Sequence, residues 1–272
     1  MSRRPGFVAT ALATALVVAA PLARAQTTPA TVVDVTFATT PMERNASLIS
    51  TAVATVSRAG DAALLSVFPD RFRARDKRGA VLRFLKLALL DVPVVHYADG
   101  LNHEFGHLAR GSENGIGLQL RLVGNPWSSP QFDLHTTGPR RLDLASIGGG
   151  FDAELLLEQR LWDRAYEENV TSVADAITVL DGAIGRFYYA QSDLASVSGR
   201  MWDDLVYNAG DPRRYAYQLT GQRLGFIASD DVLTTAHSVR THAWLNLADM
   251  GLWTQAWNVA RYLWHGDAPF QP

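Results

Sequence analysis

The decisive stretch is His96-Tyr97-Ala98-Asp99-Gly100-Leu101-Asn102-His103-Glu104-Phe105-Gly106-His107-Leu108-Ala109-Arg110. Inside it, His103-Glu104-Phe105-Gly106-His107 fits the pattern H-E-x-x-H. Residues four apart share one face of an α-helix, so His103 and His107 can offer two imidazole nitrogens to one zinc ion. Glu104, beside the first of them, can reach a water at the metal's open position and act as its general base. The plain alternative is an ordinary helix with two surface histidines and a glutamate. The pattern predicts a helix from about residue 98 to about 109, with Gly111 as its C-terminal stop.

Two histidines do not complete a catalytic zinc site, because three protein ligands and a water are the norm. The chain has no cysteine, so the third ligand must be His or a carboxylate. Glu154 is the first candidate. It stands four residues before Glu158 on a strongly helical stretch, so Glu154 can ligate while Glu158 accepts a hydrogen bond from the outer nitrogen of His103 or His107. Gly148-Gly149-Gly150, just before that helix, would let backbone approach a metal or substrate closely. Glu113 is a less favoured candidate, swung back by a turn at Gly111, and His135 is a further option.

Around this centre the pattern alternates between periods. Thr31–Phe37 reads as a strand. A helix follows from Pro41 to about Arg58, and Asp61 would cap a second, shorter one. Arg71, Arg73, Arg75, Lys77 and Arg78 form a basic cluster, read either as a solvated face or as a contact surface for an anionic lipid, glycan or peptide. The apolar helix that begins at Val81 should end before Pro93. After the H-E-x-x-H helix, Gly115–Gly124 and Gln131–Thr137 alternate at period two about a turn at Asn125–Pro130, which predicts a β-hairpin. Beyond Phe151 the chain is helical, with expected helices at 171–189, 198–207, 212–226 and 230–264. The last carries Trp244, Trp253, Trp257 and Trp264, a stripe read as core packing.

Residues 1–25 have the features of a signal peptide: Arg3 and Arg4, an apolar run from Phe7 to Ala20, and Ala23-Arg24-Ala25 before Gln26. The expectation is an exported protein, periplasmic or secreted, cut near Ala25-Gln26. Removing Arg3, Arg4 and Arg24 leaves 22 basic against 27 acidic residues, with no basic excess to attract nucleic acid. No transmembrane segment is expected after signal removal. The organisation expected is a signal at 1–25, a metal-binding region at 26–170 and a helical region at 171–272 packed on it.

The H-E-x-x-H segment resembles the zincin metallopeptidases. Glu154-x-x-x-Glu158 resembles the second helix of the gluzincin branch, although that branch more often has Asp at the second position. The resemblance spans about sixty residues, His103 to Asp163. It implies an α+β, predominantly α, zincin-like fold with a small antiparallel sheet or hairpin beside the H-E-x-x-H helix and a helical C-terminal half. It further implies zinc (Zn2+) on His103, His107 and Glu154, Glu104 as base and Glu158 as support. The metzincin pattern fits poorly, since Arg110 and Glu113 stand where its glycine and third histidine would be. An electrophilic Tyr or His is expected without a motif to place it; Tyr188, Tyr189, Tyr207, Tyr215 and His237 are candidates. The function implied is an exported zinc metallopeptidase acting on a peptide or protein. The alternatives are a zincin-like metal-binding protein without peptidase activity and a non-enzymatic helical envelope interaction protein.

Overall fold

A computed structural model describes residues 42–125, 129–136, 144–168, 171–195, 211–224 and 229–266. The helices are α1 Met42–Val67, α2 Pro69–Arg73, α3 Lys77–Lys86, a π-helical turn Leu87–Asp91, α4 Val92–Glu113, α5 Leu144–Glu168, α6 Val173–Ala195, α7 Asp211–Leu224, α8 Ser229–Ala243, α9 Leu245–Ala248 and α10 Met250–His265. The expected signal peptide, first strand, helix 198–207 and Tyr207 fall outside the described residues.

The fold is mostly helical, and this corrects the α+β, zincin-like expectation with its sheet beside the metal helix. Every member of the central apolar cluster stands on a helix: Ala46, Ile49 and Val53 of α1, Val95 of α4, Leu157 and Leu161 of α5, and Ala174 and Ile177 of α6 among them. Residues Leu118–Asn125 (β1) and Ser129–Thr136 (β2) run antiparallel and pair with each other. The period-two pattern is a local signal, whereas fold class depends on which elements share the core.

Several boundaries move for identifiable reasons. α1 runs through Gly60-Asp61, because Asp61 is engaged elsewhere: it accepts from Tyr262 and pairs with the buried Lys86 at 3.1 Å. Lys86 also binds Asp91 at 2.8 Å and donates to Ser57. Pro93 does not break the chain's course. It follows the π-helical turn, whose wider winding carries α3 into α4 without a break. Local capping does act where expected. Asp76 accepts from the Arg78 and Gly79 amides at the start of α3. Ser172 and Asp175 cap α6 reciprocally. Gly266, with φ of 87°, closes α10.

α1 is long and apolar enough, by length and composition, to cross a membrane; here its Ala46–Ile49–Val53 side packs into the core. The tryptophan stripe is corrected outright: Trp244, Trp253, Trp257 and Trp264 are all exposed.

The contact that positions the site is the crossing of α4 and α5. A Cβ on Gly106 would lie 2.0 Å from the carbonyl oxygen of Gly149, and one on Gly149 would lie 2.5 Å from that of Gly106. The triple glycine is therefore not a loop before a helix. It lies inside α5 and lets two backbones touch. Gly106→Ala should drive the helices apart, because backbone on the other side cannot step aside. The expected cost is about 2 kcal/mol, in the range of overpacked cores, read as a lower urea midpoint. A stability equal to the parent's would refute the backbone contact.

Candidate metal centre

His103 and His107 are buried on the face of α4 that meets α5. Each ring is held by its Nδ1. That of His103 lies 2.6 Å from Glu154 Oε1, and that of His107 lies 2.7 Å from the Ser146 carbonyl oxygen. With Nδ1–H donated in both, each Nε2 is left with a lone pair for a metal. The ring of His103 lies against the backbone of α5: a Cβ on Gly150 would sit 2.5 Å from its Nε2.

Both Nε2 atoms point at one carboxylate oxygen, Asp211 Oδ2, at 3.1 Å from His103 and 3.2 Å from His107. His103, His107 and Asp211 form a group that can hold a metal ion, with one ligand atom each and all within 4.8 Å of one another. Ligand bonds of about 2.1 Å arranged tetrahedrally put neighbouring donors roughly 3.3 Å apart. Asp211 Oδ2 already stands close to that spacing from each Nε2, and all three donors lie within 4.8 Å of one another.

Asp211 is fixed as firmly as the histidines. It opens α7, and its amide donates to the Tyr189 hydroxyl at 3.0 Å. That hydroxyl lies 3.4 Å from Oδ2. Two residues on, the Arg213 amide and guanidinium both bind Asp193 of α6. Tyr189 and Asp193 stand one turn apart on α6, so α6 sets where α7 starts.

The carboxylate that converges with the two Nε2 atoms is thus Asp211, not the expected Glu154 or Glu113. Glu154 is the outer partner of His103, the role expected of Glu158. Glu158 is one step further out. It accepts from Arg186 at 2.6 Å, and Arg186 also reaches Glu154 Oε2 at 3.4 Å. The order is Glu158, Arg186, Glu154, His103. Glu113 is exposed and pairs with Arg110 on its own helix. His135 lies on β2 among residues whose side chains are not described. Of the tyrosines and histidine named as electrophiles, Tyr189 alone among the described residues touches the triad, while Tyr188 and His237 are exposed. Glu104 is half-buried on α4, next to His103, and its charge adds to the upward push on the Tyr189 pKa.

The electrostatics follow from this packing. Burial opposes a charged His103, but the hydrogen bonds of Asp211 and Glu154 outweigh it and hold the imidazole well above its usual pKa. Asp211 shows the reverse balance: burial would raise it, yet His103 and His107 hold it far below the carboxylate range. Asp99, one turn before His103, is pushed well up by burial and by the charges of Glu154 and Asp181. Burial, then the Asp211 charge, keeps the Tyr189 hydroxyl protonated.

Comparison with protein-family models, with curated proteins and with solved structures finds no match for this chain. The site stands on its geometry alone. Sequence reasoning missed Asp211 because 104 residues separate it from His107; it stands just before the helix expected at 212–226.

The His103 shift has a signed consequence. A raised pKa contributes stability that is complete below the ordinary histidine range and lost as pH rises through the raised value. Metal competes with that proton, so metal affinity should climb with pH across the same window. Competition with a chromophoric chelator at several pH values reads this directly, and a flat profile would contradict the pairing. In the same assay Glu154→Gln should weaken affinity roughly 10–100-fold, the usual effect of losing an outer partner, whereas Asp211→Ala should abolish tight binding.

Proposed function

We propose that this chain is an exported zinc-dependent hydrolase, and specifically a metallopeptidase, with His103, His107 and Asp211 as ligands and Glu104 as general base. The observation that carries the reading is the convergence of two Nε2 atoms and one carboxylate oxygen beside the glutamate of H-E-x-x-H. Three protein ligands leave a fourth position open, as catalytic zinc sites do and structural ones do not. The donor set of two imidazoles and one carboxylate suits zinc.

Bound zinc would polarise a scissile carbonyl and make water acidic enough to attack at neutral pH. The chain's own groups supply the rest. Glu104 takes the proton from the attacking water. It then returns that proton to the amine as the peptide C–N bond breaks, so one water becomes the hydroxyl of the new acid and the hydrogen of the new amine. Tyr189, kept protonated, donates its hydroxyl proton to Asp211 Oδ2 and would steady that carboxylate at the metal. Glu154 holds His103 in the tautomer that presents Nε2 outward. The Ser146 carbonyl does the same for His107. Residues 1–25 would direct the chain out of the cytoplasm.

Metal analysis and a peptide-library digest test the reading together. Wild type should hold about one equivalent of zinc and cleave. His103→Ala should lose both. Glu104→Gln should keep the zinc and lose at least about 100-fold in rate, the scale of a missing general base. Zinc retained without cleavage in wild type would leave a metal-binding protein that is not a peptidase. Negligible zinc in every variant would remove the metal site itself.

A further inference from the structure

Two neighbouring helices bury polar side chains and turn large apolar ones outward. α3 buries Arg83, at 0 % exposure, and Lys86, at 6 %. Outward it turns Val81, Phe84 and Leu85, and the turn after it turns out Leu89 at 76 %. These positions recur every three or four residues, so they form one apolar stripe. α10 does likewise. It buries Gln255 and Asn258, which bond to each other at 3.1 Å, and exposes Met250, Trp253, Trp257 and Trp264. The two helices are joined through Arg83, which donates to the carbonyls of Leu263 and Trp264 and to those of Phe72 and Ala74.

A helix in water normally faces the other way, with its cations out and its leucines in. Here the cations are committed inside: Arg83 closes the C-terminal ends of α2 and α10, and Lys86 neutralises Asp61 and Asp91. What remains for the outside is apolar, on a scale that marks a contact surface rather than scattered exposure.

The flank of that surface is cationic in balance, with five exposed cations against exposed Asp70 and Asp76. Arg71, Arg73, Arg75, Lys77 and Arg78 are all exposed and lead directly into Val81 and Phe84. We propose that the α3 face seats on an anionic lipid bilayer, with Val81, Phe84 and Leu89 in the interfacial region and the Arg71–Arg78 cluster against the head groups. Arginine and lysine beside an apolar helical face are the usual form of peripheral attachment to anionic lipid. A second copy of the chain fits less well, because it would bring a second cluster of the same sign. α1 is not the attachment, since its apolar side is spent in the core. This inference is independent of the metal centre.

Co-sedimentation of the full chain with vesicles tests it, using equal parts phosphatidylglycerol and phosphatidylcholine against phosphatidylcholine alone. The expected result is at least tenfold tighter binding to the anionic vesicles, falling when salt is raised to about 0.5 M, where charges are screened within a few ångströms. Phe84→Ser combined with Leu89→Ser should lower anionic binding at least tenfold. So should Arg71→Glu combined with Arg73→Glu and Arg75→Glu; these positions are exposed, and this variant decides the matter if circular dichroism shows the first misfolded. No sedimentation with either vesicle overturns the proposal, as does equal binding to both. So does a concentration-dependent dimer that Phe84→Ser with Leu89→Ser abolishes while vesicle binding is absent.

Discussion

The structure depends on the distance at which α4 and α5 cross. At Gly106 and Gly149 their backbones are in contact, and any side chain at either position would meet a carbonyl oxygen. That closeness brings Ser146 and Glu154 within hydrogen-bonding reach of His107 and His103. Both are on α5, two turns apart, with the glycines between them. Helices held at the usual 8–10 Å would leave both Nδ1 atoms searching for other partners. Orientation of the two Nε2 atoms is therefore a consequence of helix packing, not of the H-E-x-x-H spacing alone.

The second constraint comes from the C-terminal half. α6 packs against the core through Ala174, Ile177 and Val179 and presents Tyr189 and Asp193 at its far end. Those two residues hold the start of α7, which delivers Asp211 to the histidines. The carboxylate enters at a helix N-terminus, where backbone dipoles favour its negative charge. Further out, Arg186 of the same helix links Glu158 to Glu154, so α6 braces the site from both sides of the His103 ring. Buried charge of this kind tolerates little editing, because removing one member strands the others.

A comparable economy governs the opposite end of the fold. Arg83 and Lys86 point inward because helix-end carbonyls and buried carboxylates need cations there, and after the exposed Lys77 and Arg78 the outer side of α3 is Val81, Phe84 and Leu85. The same exchange explains why the tryptophan stripe does not form core. The inward face of α10 is set by Leu252, Tyr262 and the Gln255–Asn258 pair, and the tryptophans lie on the other side. Helical spacing alone cannot say which of two stripes faces in.

The sequence by itself determined the local features. The H-E-x-x-H helix, the positions of His103, Glu104 and His107 on it, the helical C-terminal half and the absence of thiolate ligands all follow from periodicity, spacing and composition, which act over a few residues. It also brought Glu154 to the site, although in another role. Only the tertiary structure decided that the fold is mostly helical, that Asp211 converges with the two Nε2 atoms, that Glu154 holds the outer nitrogen of His103 and that Glu158 reaches it only through Arg186. Each of these depends on which faces of distant helices meet. A carboxylate 104 residues from its histidine leaves no spacing to read, and a glycine run looks the same whether it loosens a loop or lets two helices touch.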